Sequence, residues 1–279
     1  MKHGFIALFA FFFSVNVLAQ SVTEPEDKTI FAHKIKAFYS HESLLNENQI
    51  VHIGKSFLGT PYVEKTLEIG ETESVVINLR GLDCTTFVEN VIAFSMLLQD
   101  EKSDFEEFVN SIETIRYKNG AVDGYASRLH YFTDWIRTNE QKGLVKDITA
   151  ELGGTSVEKP INFMGTHRDL YPFLKNEANY NRILETEAEL ATKEFCYLPQ
   201  ADIRQQEANI ESGDIIALAT AIEGLDVTHT GIAIRQPNGR IHLLHASISG
   251  EVKITEEPLV DYLKKVKRNI GIIVARPTL

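Results

Sequence analysis

The sequence predicts an α+β protein, and two observations carry that assignment. Apolar residues recur at helical spacing through the first half of the chain, and from about residue 214 onward the period changes to two. Neither G-x-G-x-x-G nor G-x-x-x-x-G-K-[ST] occurs, so the chain offers no nucleotide-binding fingerprint.

Residues 1–19 read as a secretory leader. Lys2 opens it, residues 5–13 form an unbroken apolar run, and Val17-Leu18-Ala19 precedes an expected cut ahead of Gln20. The run is too short to span a membrane. The expected mature chain, residues 20–279, is an exported, periplasmic, monomeric protein of one domain without stable membrane insertion. The net charge of the full sequence, −11, argues against nucleic acid and anionic membrane as partners.

The elements follow in order. Residues 29–40 place Ile30, Phe31, Ile35, Phe38 and Tyr39 on one side of a first helix. Ile50, Ile53, Phe57 and Leu58 mark a second, ended by Gly59 and Pro61. Residues 63–79, with Gly70 and the run Val75-Val76-Ile77, read as an extended arm. Asp83 is a preferred N-cap, and Phe87, Val88, Val91, Ile92 and Met96 form the stripe of the helix behind it. Ser103-Asp104-Phe105-Glu106 has the capping-box pattern, and a further helix is expected from near Ser127, carrying Leu129, Phe132 and Ile136. Residues 151–174 read as an irregular stretch within an insertion of about 150–200, with a polar helix over about 177–195. Strands are expected at 214–219, 228–235, 241–247, 252–255 and 270–276.

Cys84 lies directly after the Asp83 cap, in the first turn, where unpaired N–H groups and the helix dipole favour a thiolate. A cysteine nucleophile needs an imidazole base and a group that orients it. Of the nine histidines, His229 is the best candidate: it opens a strand, and Gly231 on the same face leaves room for another element, such as the Cys84 helix. The chain returns through Pro237-Asn238-Gly239, bringing His245 back toward His229 and leaving His242 too far along the strand. Parity sets a condition. A two-residue Asn238-Gly239 turn would put His245 on the opposite face, whereas a three-residue loop or a bulge keeps the two rings together. One of those irregularities is expected. The histidine spacings do not fit a zincin, and neither a metal nor a cofactor is expected. A Cys84–Cys196 disulfide is the structural alternative for Cys84.

The order Cys, His, third polar residue is that of papain-like enzymes. Gly59-Thr60-Pro61-Tyr62, Leu82-Asp83-Cys84-Thr85-Thr86-Phe87-Val88, Ser212-Gly213-Asp214-Ile215-Ile216, and His229 to Ile234 with Leu244-His245-Ala246-Ser247 resemble, in order, the blocks of NlpC-type papain-like cysteine peptidases. Asp83 to Asn90, Ser127 to Trp135, and Phe163-Met164-Gly165-Thr166-His167 resemble more closely the N-acetylmuramoyl-L-alanine amidase-like family, whose members favour 1,6-anhydro-muropeptides released in wall turnover. The resemblance implies a nucleophile helix packed on an antiparallel sheet. It further implies catalytic Cys84, His229 and His245, with Tyr62, Asp83, Arg128, His130 and His167 contacting a muropeptide substrate. Lys65 stands where members of that family more often carry glycine. Structural alternatives exist for Arg128 (an ion pair), His130 (a half-buried ring beside Phe132), Trp135 (core) and Cys196 (buried apolar). Rival functions are a γ-D-glutamyl-diamino acid endopeptidase of the same fold and a non-catalytic muropeptide-binding protein.

Overall fold

This computed structural model describes residues 21–40 and 48–279; the expected leader and His41 lie outside the described residues. Strand β1 (Ser21–Thr23) pairs in parallel with β2 (Val75–Ile77), and between them run α1 (Pro25–Ser40) and α2 (Gln49–Lys55). The stripe expected for the first helix is seen in buried Phe31, Ile35 and Phe38, while Tyr39 stays exposed. Helix α2 is capped by Asn48, whose side chain accepts from the Val51 N–H. The arm that follows is tight at Lys65, which holds a φ of 61°. That is the left-handed conformation a glycine would adopt without strain, so the backbone keeps the glycine geometry without the glycine.

Helix α3 (Cys84–Gln99) is the centre of the molecule. Asp83 caps it through a reciprocal box with Thr86: the Asp83 carboxylate accepts from the Thr86 N–H at 2.7 Å, and the Thr86 hydroxyl accepts from the Asp83 N–H at 2.9 Å. Its residues are buried nearly all round, as for a helix enclosed by other elements. Helix α4 (Phe105–Arg116) is capped by Asp104, one residue later than the Ser103 pattern suggests, because the Asp104 carboxylate reaches the Glu107 N–H. Helix α5 (Phe132–Gln141) starts later than the Ser127 expected, since residues 125–127 close a separate 3-10 turn and Asp226 caps Thr133 from the sheet. Trp135 is fully buried against Phe132 and belongs to the core.

The 150–200 region is more ordered than expected. After β3 (Val145–Asp147) come β4 (Thr155–Val157), α6 (Phe163–Thr166), α7 (Glu177–Leu190) and β5 (Phe195–Pro199). The polar helix therefore ends at Leu190, and residues 195–199 form a strand that pairs with β4 and with the last strand of the chain. Cys196 is half-buried on it, and Cys84 and Cys196 are both free.

Helix α8 (Ile203–Gln206) leads into β6 (Ile215–Thr220), β7 (Val227–Arg235), β8 (Ile241–Ala246) and β9 (Val252–Ile254); α9 (Leu259–Leu263) and β10 (Asn269–Pro277) complete the chain. The sheet order is β4-β5-β10-β6-β7-β8-β9, with β3 also on β10, and every pairing in it is antiparallel. Both faces of its centre are covered. Ile215, Ala217, Ile232, Ile234 and Leu244 share one apolar cluster with α3, while Ile216, Leu218, Ala233, Leu243 and Ile272 share another with α9. No helix among the described residues is long and apolar enough to cross a membrane.

Candidate active site

The site forms where the start of α3 meets the first residues of β7. The Thr230 hydroxyl donates to the Cys84 carbonyl at 2.9 Å, fixing the nucleophile's backbone to the strand. The Cys84 side chain is half-buried. Burial, with the Asp83 carboxylate adding to it, pushes the thiol up to about 11; the Thr230 amide and the hydroxyls of Thr230 and Thr85 act in the opposite sense and do not overcome it. The thiolate expected from the helix N-terminus is therefore not the resting state. Burial is the largest influence on the thiol, and the sulfur keeps its proton until a base removes it.

The base lies on the same strand. The β7–β8 register pairs Ile232 with Leu244 and Arg235 with Ile241, and Gln236 donates its N–H to the Arg240 carbonyl. The connection is thus the three-residue loop Pro237-Asn238-Gly239, which keeps His229 and His245 on one face. His229 Nε2 lies 2.6 Å from His245 Nδ1, and the rings meet edge to face. Gly231 makes this possible in a different way from that expected. A Cβ there would come within 2.9 Å of the His245 Cβ and 2.8 Å of the Leu243 side chain, so the space is filled by β8 and not by the Cys84 helix.

The pair determines its own tautomers. For the other His229 nitrogen, Nδ1, to accept a proton, Nε2 must carry one and donate it to His245 Nδ1. His245 then carries its proton on Nε2, a buried atom with no hydrogen-bond partner. Burial lowers the His229 pKa to about 4. Burial, the His229 ring and the Lys253 ammonium lower that of His245 to about 3. Both rings are neutral at pH 7. Tyr262 of α9 packs edge-on against His245 at 5.5 Å between centroids. No hydrogen bond joins Cys84 to His229 in this structure, but the Thr230 amide beside the sulfur belongs to the peptide bond that follows His229. Such contacts commonly tighten only with substrate bound.

Tyr62 borders the same place. Its segment pairs with Leu82, and the Val63 N–H donates to the Leu82 carbonyl at 3.1 Å. On the other side the Tyr62 N–H donates to the Gly250 carbonyl at 2.7 Å. Burial, and then the charges of Cys84, Asp83 and Glu64, push its phenol up to about 12, so it remains a proton donor. Asp83 uses Oδ1 on the helix cap and leaves Oδ2 without a hydrogen bond.

Three residues expected at the substrate are engaged elsewhere. The Arg128 guanidinium is buried, pairs with Glu68 at 2.5 Å and Glu73 at 3.3 Å, and clamps the arm that precedes Cys84. His130 bonds the Tyr125 carbonyl through Nε2, and burial holds it well below the usual imidazole range. His167 is exposed, stacked on Phe163 with Nδ1 at the Phe163 carbonyl. Sequence reasoning passed over Thr230 and Tyr262. Thr230 had a signal, since it directly follows His229 on the strand expected to meet the Cys84 helix; Tyr262 had none, because only the fold brings α9 over His245. Among the described residues no group of three or more His, Cys, Asp or Glu is arranged to hold a metal ion.

Comparison with known proteins bears on the family and the fold. The model of the N-acetylmuramoyl-L-alanine amidase-like family matches residues 52–272. A crystal structure of an N-acetylmuramoyl-L-alanine amidase from Bacteroides uniformis is 35% identical, with a TM-score of 0.78, over 83% of this chain and 98% of that one. A Bacteroides fragilis protein described as a putative xylanase is 40% identical, with a TM-score of 0.76, over 81% of this chain and 99% of its own. A Legionella pneumophila protein at 22% identity and a TM-score of 0.68, over 90% of this chain and 94% of that one, shares the fold. No curated protein matches the chain.

Proposed function

Because the chain belongs to the N-acetylmuramoyl-L-alanine amidase-like family, we propose that it hydrolyses the amide between the lactyl group of N-acetylmuramic acid and L-alanine, using Cys84 as nucleophile. The observation that carries this reading is the His229–His245 bond, which leaves Nδ1 of His229 free on the residue that precedes Thr230, whose hydroxyl holds the Cys84 carbonyl. As the thiol attacks the lactyl carbonyl, its proton passes to His229 Nδ1. The Cys84 N–H, unpaired in the first helical turn, and the Tyr62 phenol stabilise the oxyanion. His229 then gives the proton to the alanine nitrogen, the C–N bond breaks, and water releases the acyl group from sulfur. In this reading the enzyme is papain-like and comprises residues 20–279 as one monomeric domain, exported to the periplasm by a leader at 1–19. Anhydro-muropeptides from wall turnover are its proposed substrates.

The xylanase description of the Bacteroides fragilis protein does not suit these groups. Glycoside hydrolysis uses two carboxyl groups flanking the bond, whereas a thiol and two imidazoles converge here. Mass spectrometry of anhydro-muropeptides incubated with the protein, and with Cys84→Ala as the blank, tests the proposal. Free anhydro-disaccharide and an intact stem peptide are expected. A released dipeptide beginning with L-alanine would assign the endopeptidase activity instead, and no Cys84-dependent product would leave a binding protein.

The pH profile follows from the resting state. His229 accepts a proton only when neutral, so kcat/KM should rise as pH climbs through about 4 and stay level across neutrality. An acid limb near the ordinary histidine value of about 6.5 would contradict the buried, desolvated pair.

A further inference from the structure

We propose that Lys253 and the turn from Ser247 to Gly250 form a subsite for a free carboxylate on the stem peptide of the substrate. Lys253 is the register partner of His245, so its side chain stands on the face of the sheet that carries the histidine pair. Its ammonium donates to the Ser249 hydroxyl at 2.6 Å and has no carboxylate within ion-pairing distance among the described residues. Glu251, two residues back on the same face, does not reach it. A cation left without an anion is notable in a chain of net charge −11, where the buried Arg128 and Arg116 are already paired.

The turn itself is built into the site. The Gly250 carbonyl accepts the Tyr62 N–H, Gly59 and Thr60 exchange hydrogen bonds with Val252, and the Ser247 and Ser249 hydroxyls lie 2.9 Å apart. Within it Ile248 is 80% exposed, an apolar side chain held in solvent. Two hydroxyls and an ammonium converging at a turn with an exposed apolar side chain match a carboxylate carried on a peptide backbone.

Distance fits as well. His229, His245 and Lys253 lie on three adjacent strands, so about 10 Å separates the strand of the base from that of the lysine. A peptide advances about 3.5 Å per residue. With the scissile nitrogen at His229, an acidic group on the second or third stem residue comes within reach of the lysine side chain. The proposal rests on the amidase reading for its orientation.

The test compares anhydro-muropeptides whose second stem residue bears a free carboxylate or the corresponding carboxamide. The protein should favour the acid roughly tenfold in KM, the weight of one charge-assisted hydrogen bond. Lys253→Met should raise KM for the acid by about that factor, leave the amide and kcat within twofold, and so abolish the preference; Lys253→Arg should restore most of it. A merely structural lysine would affect both substrates equally, and that result, or an unchanged KM, would overturn the subsite. If neither substrate is cleaved, the amidase reading fails. Calorimetric binding of the same two ligands to Cys84→Ala, with and without Lys253→Met, then decides the subsite by the same acid-over-amide ratio.

Discussion

Replacing His229 by alanine should lower kcat about a thousandfold with KM little changed, in the range expected for loss of a general base. The reason is the resting protonation of the site. With burial pushing the thiol up to about 11, turnover depends on a group that takes the proton during attack. His229, which precedes the Thr230 that bonds the Cys84 carbonyl and has one ring nitrogen free, is the proposed acceptor. His245→Ala should cost less, because it removes the acceptor that fixes the His229 tautomer and leaves the base itself. His245→Asn, whose side-chain carbonyl can accept from Nε2–H, should recover part of that loss. Single-turnover kinetics on purified variants with unchanged thermal midpoints gives both values. Activity of His229→Ala within tenfold of the parent would remove His229 from the base role.

Much of this site was legible before any fold was known, because its chemistry is local. Asp83 announced the helix start, and the alternation of β7 and β8 reduced the question of His245 to the parity of one loop. What was not legible depended on desolvation or on long-range packing. The Cys84 thiol has a favourable helix start in sequence and an unfavourable burial in space, and it is burial that raises its pKa. Arg128 looked available because its partners, Glu68 and Glu73, stand some sixty residues away in a segment with no regular period. The strands at 155–157 and 195–199 were missed for a similar reason: they are short, lie at one edge of the sheet, and lack the alternation that marks β6 to β10. The helix expected at Ser127 shows the remaining kind of error. A 3-10 turn and a distant cap, Asp226, set its true start, and neither can be read from spacing.

Arg116→Met should be the most destabilising single substitution near the site, by about 3–5 kcal/mol. Arg116, at the end of α4, donates to Glu89 of α3 and to the Val76 carbonyl of β2, each at 2.7 Å, and both charged side chains are almost wholly buried. Removing the guanidinium leaves a buried carboxylate without its ion-pair partner, five residues from Cys84 on the same helix. For a chain of this size the loss corresponds to a fall of about 6–20 °C in Tm. Burial already raises the Glu89 pKa, with Arg116 as the main opposing influence. A carboxyl whose folded pKa is raised favours the folded state at low pH and opposes it once pH climbs past that value. The defect of Arg116→Met relative to the parent should therefore shrink as pH is lowered and Glu89 takes up a proton. Glu89→Leu combined with Arg116→Met removes both charges and should regain most of the lost stability, leaving only the unmatched Val76 carbonyl. Thermal unfolding of the four proteins of this cycle, at neutral and mildly acidic pH, gives the coupling directly. Additive effects, or a defect that does not vary with pH, would show that the pair does not hold the nucleophile helix against the arm as described.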